Sequence, residues 1–498
     1  MLFNSIDFLI FLPIVLVIYY IIPMKYKHIW LLISSYYFYM CWNAKYVLLI
    51  FVSTVITYLS GILIDKVEKT WPDVNDIGKY KKLILALSFV SNLGILFYFK
   101  YINFTLDIVT RVLSKMNISM NVPVFDVILP VGISFYTFQA LSYSVDVYRG
   151  EVAPEHDFFR YALFVSFFPQ LVAGPIERSK NLLTQLREPR KFDFGYAFDG
   201  ILLMLWGFFL KIVLADRIAI FVDTVYGDCE HYQGIYLIVA TVLFAVQIYC
   251  DFSGYSSIAM GTAKLLGIEL MDNFNAPYLS TSVADFWRRW HISLTSWFKD
   301  YLYIPLGGSK KGILRKYLNK MIVFMLSGLW HGAQLTFVVW GTINGLYQVI
   351  GEILMPIREK VSDALGVNRD SEGFCVLRAI VTFTMIDFTW IFFRADSLGR
   401  AVYIIKSIFN AENIWTLFDG SLYNCGLDEK NFRFMLIAVI VLLVADFLKR
   451  KGIMVREIIL RQDSYIKCLV VSLSILMIMV FGKYGPAYDA VNFIYFQF

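Results

Sequence analysis

The chain has 498 residues, of which 58% are hydrophobic and 17% charged, and its formal net charge is +6 at pH 7. A mean hydropathy of +0.61 excludes a soluble globular protein, and we expect residues 1–498 to form a single transmembrane domain. We attribute the positive charge to Lys and Arg in cytoplasmic loops, so no nucleic-acid partner is expected.

Apolar segments about long enough to cross a bilayer as helices recur along the whole chain. They run over residues 7–23, 28–43, 46–64, 83–100, 126–147, 198–215, 234–252, 321–353 (interrupted), 376–394, 433–448 and 466–483. Shorter segments lie at 158–175 and 284–306. The N-terminal segment 7–23 has no basic region before it and no signal-peptide cleavage site after it, so we expect a retained helix. The sequence predicts an all-α polytopic membrane protein with about eleven transmembrane helices.

Four basic clusters set the predicted orientation, because Lys and Arg are enriched in cytoplasmic loops. They lie at 65–82, 177–191, 309–320 and 449–461 and place the N-terminus outside. Segment 158–175 must then dip in and return. Because the basic clusters ending at 320 and starting at 449 are both placed in the cytoplasm, the chain must cross the membrane an even number of times between them. Three apolar segments lie there, so 321–353 is expected to be re-entrant or two fused pieces. Irregular backbone at that depth must be buried or line a cavity.

His331 lies inside an apolar stretch, "MLSGLWHGAQL", between Gly328 and Gly332. A histidine within a membrane segment is a functional candidate, although it could also be hydrogen-bonded between helices as a structural group. Burial disfavours the charged imidazole, which leaves a neutral ring able to accept a proton as a general base. The glycines would allow a substrate chain or a neighbouring helix to approach the backbone closely.

His291 lies in the amphipathic stretch "DFWRRWHISLTSWFKDYLYIPLGG". Apolar residues recur every three or four positions, which is typical of a segment at the cytoplasmic interface, and its aromatic residues alone would be membrane-interface anchors. Arg288 and Arg289 beside the histidine add a second interpretation, because guanidinium groups suit the phosphate or carboxylate of a cytosolic ligand. Anchor and ligand site remain alternatives here.

Other ionisable residues in apolar segments are candidates for pairing between helices, with a functional role as the alternative. They are Asp146, Lys211, Asp251 and Asp387. Asp251 also lies beside Ser253 and Ser256 in a polar patch that could line a channel. His28, His156 and His231 lie in polar stretches, where solvated or interfacial positions are expected. The six cysteines have no metal-ligand spacing, so no metal site is predicted.

Three longer stretches together carry a family resemblance. They are "FVSFFPQLVAGPIERSKNLLTQL" (164–186), "NFNAPYLSTSVADFWRRWHISLTSWFKDYLYIPLGGS" (273–309) and "FMLSGLWHGAQLTFVVWGTINGLY" (324–347). The chain resembles the membrane-bound O-acyltransferase (MBOAT) superfamily, and within it the bacterial alginate O-acetylation branch. The resemblance implies a ring of tilted helices, with re-entrant and interfacial helices, around a thin centre. It implies that His331 is catalytic and that His291 matches a second position, usually His, Asn or Asp.

The resemblance further implies transfer of an acetyl group across the plasma membrane of a bacterium. The expected donor is a cytosolic thioester, acetyl-CoA, with no cofactor held permanently. The expected acceptor is an extracytoplasmic polysaccharide or an SGNH-type acetyltransferase partner. His331 would act as general base or accept the acyl group itself. One alternative is D-alanyl transfer to teichoic acid from a carrier protein. An alternative of another class is a transporter or flippase, although the inverted repeats common in transporters are not recognisable.

Overall fold

The computed structural model describes residues 1–70, 76–118, 123, 125, 129–188, 190–484 and 494, and all regular structure in them is helical. These residues form two compact units. The first unit comprises Met1–Met204 and Ile258–Met271, and the second comprises Leu205–Ser257 and Asp272–Phe498. Both candidate histidines belong to the second unit.

The first unit contains the N-terminal helices. They are α1 (Ile6–Ile21), α2 (Lys27–Met40), α3 (Val47–Thr70), α4 (Ile77–Leu96), α5 (Ile102–Lys115), α6 (Ile133–Tyr148), α7 (Phe158–Ser166), α8 (Ser179–Arg187) and most of α9 (Phe194–Phe208). Polar side chains start several of them: Ser5 caps α1 and Asp157 caps α7 by accepting backbone N–H groups of the first turn. Small residues let α3 and α6 pack closely, and Ser60 and Ser144 hydrogen-bond across them at 2.7 Å.

The second unit contains the helices that carry the candidate histidines. They are α10 (Asp216–Gly227), most of α11 (Ile235–Leu265), α12 (Val283–Arg289), α13 (Ile292–Phe298), α14 (Ile313–His331), α15 (Leu335–Ile353), α16 (Met355–Ala364), α17 (Glu372–Arg394), α18 (Leu398–Phe409), α19 (Glu429–Arg450), α20 (Val455–Leu460) and α21 (Ser464–Phe481). A π-helical turn over Phe209–Ala215 joins α9 to α10, and another over Lys299–Tyr303 follows α13.

Within the described ranges, seven helical segments are long and apolar enough to cross a membrane, or eight if a bent pair counts as one span. They are Ala44–Thr70, Ile77–Lys115, Phe194–Gly227, Ile235–Leu265, Glu372–Arg394, Glu429–Arg450 and Ser464–Phe481, with the pair Leu335–Ile353 and Met355–Ala364 bent by 51°. The all-α polytopic membrane class is therefore confirmed. The expected count of about eleven spans is not.

The difference in count arises from helices that are shorter than the apolar stretches predicting them. Helix α1 has 16 residues and α2 has 14. At 1.5 Å per residue, α1 is about 24 Å long, less than the ~30 Å hydrocarbon core of a bilayer. In the predicted segment 126–147 the helix begins only at Ile133, after Gly132 in the left-handed region (φ 75°), and residues 126–128 lie outside the described residues.

The interrupted segment 321–353 consists of two helices, as expected from the count of crossings. Helix α14 ends at His331, and α15 begins at Leu335 after an extended Gly332. The two helices run antiparallel, because Phe324 of α14 lies beside Gly341 of α15 while Gly328 lies beside Phe337. The segment 158–175 contains α7, whose nine residues are too few to cross a bilayer, in agreement with a dip rather than a span.

Candidate active site

His331 is the last residue of α14 and lies buried at the tip of the α14–α15 hairpin. The opposite end of the hairpin is charged, since Lys316 and Lys320 of α14 both form ion pairs with Glu352 of α15. At 1.5 Å per residue, His331 is about 16 Å along α14 from Lys320, roughly half the thickness of a ~30 Å hydrocarbon core. The helix thus separates the imidazole from the charged end of the hairpin.

Glycines allow the hairpin to close. A Cβ atom at Gly328 would lie 2.2 Å from the carbonyl oxygen of Phe337, and one at Gly341 would lie 2.2 Å from the carbonyl oxygen of Phe324. A Cβ at Gly332 would lie 2.1 Å from the Phe337 ring. Of the two roles considered for Gly328 and Gly332, the structure therefore supports close approach of a neighbouring helix.

Aromatic rings surround the His331 imidazole on several sides. The ring centroid of Trp340 lies 5.2 Å away and that of Phe393 lies 5.4 Å away, both approached edge to face. Trp340 in turn stacks on Trp390 of α17 at 5.8 Å. Edge-to-face contacts of this kind fix the orientation of each ring. The role of His331 as a base stays a prediction.

His291 lies between α12 and α13 with its backbone in the left-handed region (φ 43°, ψ 54°). Few residues other than glycine adopt this conformation, so the surrounding contacts must hold it. Its side chain is buried, with the ring 4.7 Å from Phe252. Burial lowers the pKa of His291 well below its usual value, so the ring is neutral at physiological pH.

Asn273 fixes the tautomer of His291. The amide oxygen Oδ1 accepts the backbone N–H of Ser293 at 3.3 Å and the Ser293 hydroxyl at 2.8 Å. Because an amide oxygen can only accept, Nδ1 of His291, 3.1 Å away, carries the ring proton and Nε2 carries the lone pair. The Asn273 amide nitrogen donates to Ser256 Oγ at 3.2 Å, which holds the amide in place.

The two histidines predicted from the sequence come together in the structure. Their ring centroids are 6.3 Å apart with planes at 59°, and the indole of Trp330 lies beside both. At this separation both imidazole rings belong to one candidate site. Asn273, Trp340 and Phe393 were missed by the sequence analysis. Asn273 stands at the start of a stretch quoted for the resemblance, which is the signal that could have identified it.

The aromatic residues around His291 are not membrane-interface anchors, and that interpretation is wrong. Phe286, Trp290 and Trp297 are each buried within the protein. The arginines differ from them. Arg288 is exposed, and its Nε donates to the backbone of its own helix, while Arg289 is half-buried and pairs with Asp285 at 3.0 Å. Donor binding by the two arginines stays a prediction.

Three of the four other ionisable candidates have polar partners. Lys211 Nζ lies 2.6 Å from Asp251 and 2.9 Å from Asp216, and all three side chains are buried. Asp251 also accepts the backbone N–H of Ile494 at 2.8 Å, and Asp146 accepts the Ser179 hydroxyl at 2.6 Å. The pairing interpretation is confirmed for Lys211 and Asp251.

Asp387 of α17 differs, since among the described residues it has no ion-pair or hydrogen-bond partner. No group of three potential metal ligands occurs in the part of the chain that the structure describes.

Residues 151–364 match the model of the membrane-bound O-acyltransferase family, MBOAT. The "Probable alginate O-acetylase AlgI" of Pseudomonas aeruginosa is 36% identical over 411 residues, which are 82% of this chain and 75% of the relative. The "Peptidoglycan O-acetyltransferase" of Helicobacter pylori is 32% identical over 440 residues, which cover 82% of this chain and 80% of the relative.

A more distant relative is named for a different activity. The "Teichoic acid D-alanyltransferase" of Bacillus subtilis is 25% identical over 280 residues, covering 54% of this chain and 70% of the relative. The family match includes both His291 and His331. The chain belongs to the membrane-bound O-acyltransferase family and is a multi-pass membrane O-acyltransferase.

Proposed function

We propose that this enzyme transfers an acetyl group from a cytosolic thioester, acetyl-CoA, across the bacterial plasma membrane. The acceptor is a hydroxyl of an extracytoplasmic polysaccharide, or an SGNH-type acetyltransferase partner that passes the group on. The observation that carries the proposal is the pair of buried histidines beside the tip of the α14–α15 hairpin, with ring centroids 6.3 Å apart. His331 is the catalytic base in this scheme.

The names of the relatives support an acetyl group over an alanyl group. Two O-acetylating relatives align over 82% of the chain at 36% and 32% identity. The D-alanyltransferase aligns over 54% at 25% identity. Alanyl transfer from a carrier protein is therefore the second candidate, and the nature of the transferred group distinguishes the two. A transporter role is not retained, because family membership assigns an acyl-transfer activity.

The proposed chemistry uses the neutral imidazole of His331. The acceptor hydroxyl gives its proton to a ring nitrogen as its oxygen attacks the thioester carbonyl carbon. The carbon–sulfur bond then breaks, and the proton passes from the imidazolium to the leaving thiolate. In a two-step variant the ring nitrogen attacks the carbonyl carbon first, and the carbon–sulfur bond breaks to release the thiolate. The acceptor oxygen then takes the acyl group from the ring nitrogen, and its proton passes to the thiolate. His291 presents a lone pair on Nε2 beside this site, and the exposed Arg288 would contact the donor's phosphate groups.

Replacement of His331 by Ala tests the proposal. We expect acetylation of the cell-surface polymer, measured as ester-bound acetate per cell, to fall by about 10²- to 10⁴-fold, because a positioned base contributes that much. The chain should still be present in the membrane at the normal level. His231→Ala is the matched control, since His231 is exposed on a loop of the same unit.

Unchanged acetate on the polymer in the His331→Ala cells, with the protein present, would contradict the proposal. Loss of ester-bound alanine instead of acetate would favour the second candidate.

A further inference from the structure

A cavity of about 710 Å³ lies in the first unit. Four elements form it: the C-terminal end of α1, the start of α2 with the preceding turn, the start of α7 and the end of α8. Its apolar lining includes Met24, Ile29 and Leu31, and its polar lining is rich in basic side chains. Neither histidine of the proposed mechanism contributes to it.

Lys27 is the central polar residue of this cavity. It is the first residue of α2, and only 4% of it is exposed. Its ammonium group lies 4.4 Å from the ring centroid of Tyr19 and 5.0 Å from that of Tyr20. Within the described part of the chain it has no carboxylate partner, and burial lowers its pKa. A buried ammonium held over two aromatic rings is an uncompensated positive charge.

The acidic groups near Lys27 are already engaged with other cations. Glu155 pairs with Arg160 at 3.1 Å and with Arg187 at 2.8 Å, and Asp157 pairs with Arg160 at 3.4 Å. These pairs rigidify the wall of the cavity without neutralising Lys27. Two exposed side chains of opposite sign, Lys25 and Glu188, complete the charged lining and offset each other. The net charge presented to a ligand is positive.

We propose that this cavity binds the phosphate group of an anionic ligand, with the Lys27 ammonium as its counter-ion. An anion is the ligand that compensates a buried cation, and a phosphate oxygen can accept its N–H donors. The neighbouring Met24, Ile29 and Leu31 provide apolar contact for the rest of a larger molecule. Two sources carry this group: the headgroup of an anionic phospholipid and a soluble phosphate. The site is independent of the acyl-transfer proposal.

The test measures binding by the purified full-length chain in detergent. The melting temperature is followed while dioleoyl phosphatidylglycerol or inorganic phosphate is added, with sodium chloride at equal ionic strength as reference. We expect Lys27→Gln to weaken binding of whichever probe stabilises the wild-type chain about tenfold or more, because hydrogen bonds to charged groups contribute that much. Lys27→Arg should restore binding. Lys45→Gln, at an exposed lysine, is the matched control.

Stabilisation by phosphatidylglycerol alone identifies a lipid headgroup, and stabilisation by phosphate as well identifies a soluble ligand. The proposal is overturned if neither probe stabilises the wild-type chain, or if Lys27→Gln binds as tightly as wild type. If Lys27→Gln does not fold, a second measurement on the wild-type chain still tests the proposal. Amine modification of Lys27, read by peptide mass spectrometry, should slow with the probe while that of Lys45 does not. Equal modification with and without the probe overturns the proposal.

Discussion

Asn273 is the residue that connects the backbone of the candidate site to its acid–base chemistry. One amide oxygen accepts from His291 and from both donors of Ser293, and the amide nitrogen donates to Ser256. The ring of His291 is thereby held in one tautomer and one orientation. Asn273 is a positioning residue, because it acts through His291 and not on the substrate.

Asn273→Asp should change the pH dependence of acetyl transfer. A carboxylate beside the ring favours the imidazolium form and raises the pKa of His291. In the proposed function the neutral His291 ring presents its lone pair to the site, so we expect activity to be lost at a higher pH than in the wild type as the pH falls. The measurement is the rate of transfer against pH. Asn410→Asp, at an exposed position of the same unit, should leave the profile unchanged, and an unshifted profile in Asn273→Asp would argue against the positioning role.

The sequence identified the histidines and missed the residue that orients one of them. A histidine in an apolar run is rare and costly, so His331 stands out without any structural knowledge. Asn273 does not titrate, and its contact with His291 joins positions 18 residues apart in a segment of short helices and turns. Pattern and spacing do not encode such a contact. The left-handed backbone at His291 is equally invisible in the sequence.

The α14–α15 hairpin is the element that places His331. Its helices contact each other through backbone at Gly328 and Gly341, where side chains would collide with carbonyl oxygens. Backbone packing this close makes the hairpin stiff, and the tip is then fixed relative to α17, which supplies Trp390 and Phe393. Helix packing through small residues is a general device of membrane proteins.

Gly328→Ala should destabilise the hairpin. The new methyl group would lie 2.2 Å from the Phe337 carbonyl oxygen, so the helices must separate. Overpacking of this kind costs about 1–3 kcal/mol, and we expect a lower melting temperature together with reduced transfer. Gly351→Ala, in α15 itself, is the control, because the nearest atom to its added methyl lies 3.9 Å away on a flexible arginine. Equal melting temperatures for both variants would refute the packing argument.

The charge cluster of Lys211, Asp216 and Asp251 makes a second prediction about helix packing. Lys211→Met leaves two buried carboxylates without their cation, which costs about 3–5 kcal/mol. The loss should appear as a lower free energy of unfolding in denaturant. Lys69→Met provides the comparison, because the Lys69 side chain is 69% exposed and pairs with Asp65 at the surface. Such a surface pair contributes at most about 1 kcal/mol. Similar losses of unfolding free energy in the two variants would mean that burial does not determine how much the charge cluster contributes to stability.

Helix existence was predicted well, and helix length was not. Apolar runs coincide with helices throughout the described residues, because hydrophobicity is the property that a bilayer selects. The ends depend on local groups, such as Gly132 before α6 or the extended Gly332 after α14. The amphipathic stretch 284–306 has the apolar spacing of an interfacial helix, yet Phe286 and Trp290 pack inside the protein. Periodicity alone cannot distinguish a lipid-facing face from a protein-facing one.

For the whole molecule, the polytopic class is confirmed and the orientation remains a prediction from the positive-inside rule. That rule places the N-terminus outside and the basic loop before α14 in the cytoplasm. The ring of helices around a thin centre also remains a prediction. Hydropathy identifies what enters the bilayer, whereas arrangement depends on packing that it does not report.

Cysteine labelling of intact cells tests the orientation. Cys41, which is exposed at the end of α2, should react with a membrane-impermeant maleimide added outside. A cysteine introduced by Ser309→Cys should react only after the membrane is permeabilised, because it lies in the basic loop before α14. Both measurements use a chain in which Cys375 and Cys468 are replaced by Ser. The reverse pattern, or labelling of both from outside, would contradict the predicted orientation.

The φ of 43° at His291 bears on which amino acids that position accepts. Histidine, asparagine and aspartate are the side chains that enter this region of the Ramachandran map most readily after glycine. They are also the three that the family resemblance associates with the position. Main-chain geometry therefore accounts for the interchange of His, Asn and Asp that the resemblance implies at this position. Proton-transfer chemistry does not explain it, because an amide cannot take up a proton as an imidazole does.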